Sequence, residues 1–168
     1  MVGMLENKVV VISGVGPALG TTLARRFAEG GADLVLAART ADRLAEVAEQ
    51  VTGLGRRALA VTTDITDDAQ VDNLVDRSLE EYGKIDVLVN NAFRVPSMKP
   101  LADTTFQHIR DAIELTVLGA LRLTQGFTPA LAESKGSVVN VNSMVIRHAQ
   151  PKYGAYKMAK AALLAMSQ

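Results

Sequence analysis

Two overlapping tyrosine–lysine pairs lie near the C-terminal end of the sequence. In the stretch YGAYKMAK, Tyr153 precedes Lys157 by four residues, and Tyr156 precedes Lys160 by the same distance. Residues four apart share one face of an α-helix, so either pair would place an ammonium group beside a phenol. A free phenol titrates near pH 10, and a nearby positive charge favours the phenolate. Either pair could therefore supply a proton donor; the alternative is that both belong to the polar face of an ordinary helix.

Helix geometry separates the two tyrosines. At 100° per residue, Tyr156 lies roughly 110° from the centre of the face that we expect to be buried, Lys160 about 150° and Tyr153 about 170°. Tyr156 is thus predicted at the border between core and cleft, whereas the same geometry does not discriminate between Lys157 and Lys160. The expected buried face consists of Ala155, Met158, Ala159, Ala162 and Met166.

Composition excludes several kinds of function. The chain has 168 residues, 48% of them hydrophobic, which is enough for one globular domain with a core. Lysine plus arginine equals aspartate plus glutamate at 18 each, so charge gives no reason to expect nucleic acid or an anionic membrane. Without cysteine there is no thiolate catalysis, and the spacing of His108 and His148 predicts no metal site. Apolar runs are strand-sized and no secretory signal is recognisable, so we expect a soluble, cytoplasmic protein.

Short β-branched runs alternate with segments of helical periodicity along the chain. The runs are apolar on both faces, as a parallel sheet covered by helices on both sides requires. This alternation predicts a three-layer, doubly wound α/β sheet. The sequence ends in KAALLAMSQ without a helix-stop signal, so we expect residues 1–168 to form a single domain that lacks its C-terminal strands. The predicted strands are residues 9–13, 33–37, 58–62, 85–89 and 137–141.

A glycine-rich turn, SGVGPALG, separates the first predicted strand from the first helix. Gly14, Gly16 and Gly20 lie where the chain must turn tightly, approach a ligand and pack a helix on a strand. The helix N-terminus would present free N–H groups to a pyrophosphate, with Ala18 and Leu19 beside it. An ordinary strand-to-helix turn is the alternative, but the flanking strand and helix favour a dinucleotide site.

The end of the second strand bears on the choice of cofactor. Dinucleotide-binding domains that use NAD usually place an acidic residue there, whereas this sequence has Ala38 followed by Arg39. An arginine suits the 2′-phosphate of NADP, so NADP(H) is favoured over NAD(H). The alternative is that Arg39 is a solvated residue that opens the next helix.

Several of these stretches together resemble the short-chain dehydrogenase/reductase family. SGVGPALG is similar to its T-G-x-x-x-G-x-G motif, NNAF to its N-N-A-G motif, and TDIT to its D-V-T segment. GSVVNVNS followed by YGAYKMAKAAL resembles its catalytic strand and helix. The motifs occur in the family's order from about Lys8 to the last residue, and the resemblance implies a dinucleotide-binding Rossmann fold.

The resemblance also implies roles for individual residues. Ser143, Tyr156 and Lys160 match the catalytic residues. Tyr156 lies 13 residues after Ser143, close to the family's spacing of about a dozen, while Tyr153 lies only 10 after it. Thr116 stands where the family has an asparagine that orders a water of the proton relay. The residues implied to bind the cofactor are Gly14, Gly16, Ala18, Leu19, Gly20, Arg39, Asp64, Ile65, Asn90, Asn91 and Ala92, together with Tyr156 and Lys160.

Some positions depart from the family's pattern. Ala18 replaces the middle glycine of the turn, and Phe93 replaces the glycine after N-N-A. Thr116 retains a backbone carbonyl but lacks the amide. Family members also usually have about 250 residues, so the rest of such a chain would hold two more strands and much of the substrate lid.

Three polar residues have structural alternatives. Asp64 either contacts the adenine ring or caps the helix that begins near Thr66. Asn90 either holds the end of the fourth strand and the adenosine ribose or is a buried amide that bonds neighbouring backbone. Asp103 is predicted to cap the helix that follows it.

The implied activity is the NADP(H)-dependent interconversion of a secondary alcohol and a ketone, with Tyr156 as acid/base and Ser143 on the substrate oxygen. The substrate is expected to be apolar; either an anionic group on it is held by Arg94 or Arg147, or those arginines face water. The main alternative is a nucleotide-binding protein without turnover that acts by binding partners. Another is a fragment that folds only within a longer chain. The resemblance further implies a homodimer or homotetramer.

Overall fold

The structure, a computed structural model, describes residues 3–94, 99–149 and 151–168. Within these residues the strands form one sheet in the order β3-β2-β1-β4-β5, and every neighbouring pair is parallel. The doubly wound parallel sheet predicted from the sequence is therefore confirmed. The strands are β1 Val9–Ser13, β2 Asp33–Ala38, β3 Ala58–Thr62, β4 Val87–Asn90 and β5 Ser137–Asn140.

Helices cover both faces of the sheet. Alternate residues of β1 point to opposite sides: Val11 belongs to the apolar cluster beneath α3 and α5, and Ile12 to the cluster beneath α1 and α2. The strands read as continuous apolar runs because both of their faces are buried in this way. The α-helices are α1 Leu19–Glu29, α2 Ala41–Gly53, α3 Asp68–Tyr82, α4 Phe106–Ile113, α5 Gly119–Ser134 and α6 Gly154–Met166.

Three short helical segments complete the described elements. The 3₁₀ turn Leu101–Asp103 precedes α4, and a second one, Met144–Arg147, follows β5. Between α4 and α5 the chain forms a π-helical turn over Glu114–Leu118. Such turns inside helices are rare and are frequent at functional sites.

The fourth strand begins two residues later than predicted. Asp86 is buried, and its carboxylate accepts hydrogen bonds from the Val9 N–H and from Lys8 Nζ, both at 2.9 Å. This side chain takes the Val9 N–H, so the ladder with β1 starts only at Val87. Burial raises the pKa of Asp86, but the hydrogen bonds from Lys8, Val9 and Lys84 outweigh it and hold the pKa below its usual value.

No helix in residues 3–94, 99–149 or 151–168 is long and apolar enough to cross a bilayer. The same part of the chain brings no three metal-ligating side chains together into a group that could hold a metal ion.

Candidate active site

A crevice opens at the carboxyl ends of the strands, where β1 has β2 on one side and β4 on the other. Ligands of open α/β sheets bind at this point, because the helices that follow the two strands leave in opposite directions. The crevice has a volume of about 400 Å³. Its lining consists of residues 14–20, 38–40, 63–65 and 91–93 together with Leu115.

The three glycines of the turn have different tasks. Gly14 has a φ of +80°, and a Cβ there would lie 2.4 Å from the Cα of Ala92. A Cβ on Gly20 would lie 2.4 Å from the carbonyl oxygen of Gly14. A Cβ on Gly16 would meet no protein atom within 4 Å. Gly14 and Gly20 are therefore required by the fold, while Gly16 keeps the crevice open.

Ala18 and Leu19 lie where helix α1 begins. Ala18 is the N-cap residue with a φ of −109°, so an alanine adopts this backbone without left-handed strain. No side chain caps the helix, so the N–H groups of Leu19 and Gly20 have no side-chain acceptor, while the Thr21 N–H donates to the Gly16 carbonyl oxygen at 3.1 Å. Leu19 is 45% exposed and lines the crevice.

The structure separates the two neighbouring asparagines. The Asn91 amide lies at the crevice and donates to the Gly14 carbonyl oxygen at 2.8 Å, while its buried Oδ1 has no hydrogen-bond partner among the described residues. The Asn90 amide donates to Asn140 Oδ1 at 2.9 Å and to Thr124 Oγ1 at 3.3 Å. Asn90 does not line the crevice, and its bonds favour the interpretation as a buried amide that ties β4 to β5 and α5.

Asp64 lies at the crevice, after the end of β3. Its carboxylate accepts hydrogen bonds from Thr66 N at 3.0 Å and Thr66 Oγ1 at 2.7 Å. These bonds to Thr66, opposed by burial and helped by the positive charge of Arg39, hold the pKa of Asp64 below its usual value. An ionised carboxylate is thus available beside Arg39 and Ile65 in the lining.

The cap predicted at Asp103 is wrong, and of the two alternatives for Asp64 the structure excludes the helix cap. Helix α3 is capped not by Asp64 but by Asp67, whose side chain accepts from the Gln70 N–H. Helix α4 is capped by Thr105, and Asp103 belongs to the preceding 3₁₀ turn. In both cases another capping side chain lies directly before the first helical residue, Asp67 before Asp68 and Thr105 before Phe106.

The predicted catalytic residues come from α6 and from the loop after β5. The ring of Tyr156 lies 6.4 Å from the ring of Phe93, which lines the crevice. Lys160 Nζ lies 5.8 Å from the centroid of the Tyr156 ring. Ser143 caps the 3₁₀ turn after β5, and its Oγ accepts from the Val145 N–H at 3.3 Å. Tyr156 thus lies beside a residue of the crevice wall, while Ser143, Tyr156 and Lys160 do not themselves line the crevice.

Lys160 is buried, contrary to the expectation from the helical wheel. Its side chain is 3% exposed, and Nζ donates to the Val141 carbonyl oxygen at 2.5 Å. Met158, expected in the core, is 45% exposed. The helical wheel assumed that only one face of α6 is buried. In the structure, α6 packs against three elements: α4, the π-helical turn and the 3₁₀ turn after β5. Burial lowers the pKa of Lys160 to about 8 because the charged form loses solvation.

Thr116 is buried within the π-helical turn. That turn packs against α6, the helix of Tyr156 and Lys160, and its residue Leu115 lines the crevice. Thr116 therefore lies in the segment that joins the crevice wall to α6. Arg94 and Arg147, considered for an anionic substrate group, are both exposed.

Sequence reasoning missed several residues of the crevice lining. Thr63 directly follows β3, so its position at this edge follows from the parallel order of the strands and could have been predicted. Leu115 could not, because only the π-helical turn directs it to the crevice. Val15, Pro17 and Thr40 also line the crevice.

A single protein-family model covers the chain from the first strand to its last residue. The family model described as short chain dehydrogenase matches residues 8–168. This chain belongs to that family. Among the solved structures similar to this chain, one is complexed with NAD and another with 5-hydroxy-NADP.

The relatives are longer than this chain. It is 38% identical to an uncharacterised oxidoreductase of Mycobacterium tuberculosis over 163 residues, which are 95% of this chain and 61% of the relative. Carveol dehydrogenase from Mycobacterium avium in complex with NAD superimposes with a TM-score of 0.93 at 27% identity, over 98% of this chain and 64% of that one. An alcohol dehydrogenase from Thermococcus sibiricus, complexed with 5-hydroxy-NADP, gives 0.90 at 29% identity, over 95% and 68%. The chain thus spans about two thirds or less of these relatives' lengths.

Proposed function

We propose that this chain is the cofactor-binding and catalytic part of an NADP(H)-dependent oxidoreductase that interconverts a secondary alcohol and a ketone. The observation that carries the proposal is the position of Tyr156. Its ring lies 6.4 Å from Phe93 in the crevice wall, and the buried Lys160 ammonium lies 5.8 Å from its centroid. A phenol, a cation and a nucleotide-sized crevice together are what this chemistry requires.

The residues of the crevice fit a dinucleotide. The uncapped N-terminus of α1 and the open space at Gly16 suit a pyrophosphate, which needs N–H donors and close approach of the backbone. The unpartnered Asn91 Oδ1 is an acceptor for a ribose hydroxyl or an amide. Gly14, Gly20, Ala18, Leu19, Ala92, Asp64 and Ile65 would complete the binding surface.

When bound, the nicotinamide supplies or accepts the hydride. In the direction of reduction, the Tyr156 hydroxyl donates a proton to the carbonyl oxygen, and Ser143 Oγ donates a hydrogen bond to the same oxygen. Lys160 is mostly protonated below its pKa of about 8, and its charge stabilises the negative oxygen left on Tyr156. The backbone carbonyl oxygen of Thr116 is proposed to bind a water molecule. Through this water Tyr156 regains its proton.

Arg39 supports NADP(H) as the preferred cofactor. It lines the crevice directly after β2, where Ala38 offers no carboxylate to a ribose 2′-hydroxyl. Across residues 3–94, 99–149 and 151–168, no carboxylate forms an ion pair with its guanidinium. A bidentate guanidinium is a suitable partner for the 2′-phosphate.

Replacing Arg39 with alanine is expected to weaken NADPH binding roughly 10- to 100-fold, because a charge-assisted hydrogen bond to the 2′-phosphate is lost. Binding of NADH, which lacks that phosphate, should change less than about twofold. Calorimetric titration with both cofactors measures the ratio. Arg77→Ala, at an exposed position of α3, is the matched control. Equal weakening of both cofactors would show that Arg39 does not select between them.

Gly16→Ala is expected to weaken binding of NADPH by about 10-fold or more while leaving the melting temperature unchanged. The new methyl group meets no protein atom but occupies the space left for the pyrophosphate. Gly53→Ala, whose Cβ likewise meets nothing within 4 Å, controls for the substitution itself. Unchanged binding in Gly16→Ala, measured by the same titration, would place the phosphates elsewhere.

The direct test of the activity is consumption of NADPH in the presence of a panel of ketones, followed by its absorbance. Ketone-dependent oxidation supports the proposal, and tight binding of NADPH without turnover of any ketone contradicts it. The retained Ser143, Tyr156 and Lys160 are not needed by a protein that only binds nucleotide, so no second function is proposed. A cytoplasmic location stays a prediction from the sequence, and a homodimer or homotetramer stays a prediction from the family.

A further inference from the structure

We infer that Phe93, Tyr156 and Tyr153 form an aromatic row that selects ketones whose body is a flat, apolar ring. The inference rests on the proposed function, because Tyr156 is the proposed proton donor at the centre of the row. It adds the class of substrate and two residues, Phe93 and Tyr153, that determine it.

The row is defined by two ring contacts. The centroids of Phe93 and Tyr156 are 6.4 Å apart with the ring planes tilted by 51°, and those of Tyr156 and Tyr153 are 6.4 Å apart with a tilt of 57°. Both distances lie in the range of interacting aromatic pairs. The three rings therefore extend from the crevice wall past the proposed proton donor to Tyr153, the residue that directly precedes α6.

The rings are available to a ligand. Phe93 is a large apolar residue of the crevice wall, and it is 51% exposed. Both tyrosines are only partly buried. Burial of an exposed aromatic ring is favourable, and aromatic residues are the usual contact surface for flat apolar ligands. A ligand that covers Phe93 would thus be stabilised next to the Tyr156 hydroxyl.

The backbone conformation at Phe93 does not require the glycine that the family's motif has at this position. The family's motif has glycine at this position, but Phe93 does not adopt a left-handed φ; the non-glycine residues that do so in the described part of the chain are Asn7 and Lys135. The backbone here thus has no need of glycine. With a glycine, Tyr156 would have only the ring of Tyr153 beside it.

The geometry suits a bicyclic or monocyclic aromatic ketone better than a small acyclic one. The carbonyl of 1-tetralone, for example, can meet the Tyr156 hydroxyl while its fused ring contacts Phe93 or Tyr153. 2-Butanone has a carbonyl that can meet the Tyr156 hydroxyl, but it has no ring that could contact Phe93 or Tyr153. The selectivity should therefore reside mostly in KM, since the row contacts the part of the substrate that does not react.

The test compares kcat/KM for 1-tetralone and 2-butanone with NADPH as cofactor. Wild type should prefer 1-tetralone, and Phe93→Leu should lower that preference about 10-fold, mainly through a higher KM, because one aromatic contact is lost. Tyr153→Leu should act in the same direction, while Tyr153→Phe, which keeps the ring, should retain the wild-type ratio. Phe106→Leu, at a highly exposed phenylalanine at the start of α4, is the matched control.

Each outcome decides the inference. A wild-type enzyme that reduces 2-butanone but shows no preference for 1-tetralone overturns the aromatic row and leaves the proposed function intact. An equal change of kcat/KM for both ketones in Phe93→Leu also overturns the aromatic row. If kcat/KM rises equally for both, the Phe93 ring obstructs the site. Absence of turnover with every ketone, when NADPH still binds, overturns the proposed function and the row together.

Discussion

Tyr156→Phe is expected to lower kcat for ketone reduction by about 10³-fold, within the range for losing a general acid. The substitution removes the hydroxyl that we propose as the proton donor and keeps the ring that contacts Phe93 and Tyr153. The Kd of NADPH should therefore change less than about twofold. Steady-state oxidation of NADPH with a ketone, beside a calorimetric titration of NADPH, measures both quantities.

Tyr153→Phe is the matched control, because it removes the hydroxyl of the other tyrosine in the overlapping motif. It should retain wild-type kcat. If instead Tyr153→Phe abolishes turnover and Tyr156→Phe does not, the proton donor has been assigned to the wrong pair. Loss of turnover in both variants would indicate that the two hydroxyls act together.

Lys160→Met is expected to lower kcat at neutral pH by about 100-fold or more, since the negative charge that forms on Tyr156 loses its neighbouring cation. Methionine fills a similar volume in the buried site but cannot donate to the Val141 carbonyl oxygen. Lys157→Met, at the second lysine of the overlapping motif, should keep kcat within about twofold. Equal activity of Lys160→Met and wild type would exclude an electrostatic role for Lys160.

The same variant should alter how stability depends on pH. Burial lowers the pKa of Lys160 from its ordinary value of 10.5 to about 8, so between these two values the unfolded chain binds more protons than the folded one. The free energy of unfolding of the wild type should therefore rise with pH over this window, by roughly 3 kcal/mol relative to Lys160→Met. Urea unfolding of the ligand-free proteins at pH 7 and pH 10 measures the difference. A parallel pH dependence of the two proteins would contradict the burial of a charged amine.

The fold could be predicted from the sequence because its signals are local. A strand buried on both faces must be apolar throughout, and β1 is the clearest case, with all five of its residues buried. The turn was predictable for a similar reason: Gly14 and Gly20 occupy positions where any Cβ would collide with backbone. In both examples the physical requirement fixes the residue type at the place where it acts.

What the sequence could not predict depends on contacts between distant segments. The burial of Lys160 follows from α4 and the π-helical turn packing over α6, which a wheel of one helix does not contain. The direction of the Asn90 amide depends on Asn140, 50 residues away, and the late start of β4 depends on the carboxylate of Asp86 meeting β1. Residue type alone also does not reveal that a Cβ on Gly16 would meet no protein atom within 4 Å, whereas one on Gly14 or Gly20 would collide with backbone.

In the proposed reaction, Tyr156 donates a proton to a carbonyl oxygen, and the carbonyl carbon receives hydride from a cofactor in the adjacent crevice. The most direct measurement uses NADPH carrying two deuterium atoms at the nicotinamide C4, incubated with a ketone, with the alcohol product analysed by mass spectrometry. We predict one deuterium on the carbinol carbon of each alcohol formed by the wild type, and no product above background from Tyr156→Phe. Alcohol without deuterium, or an equal yield of labelled alcohol from the two proteins, would contradict the account.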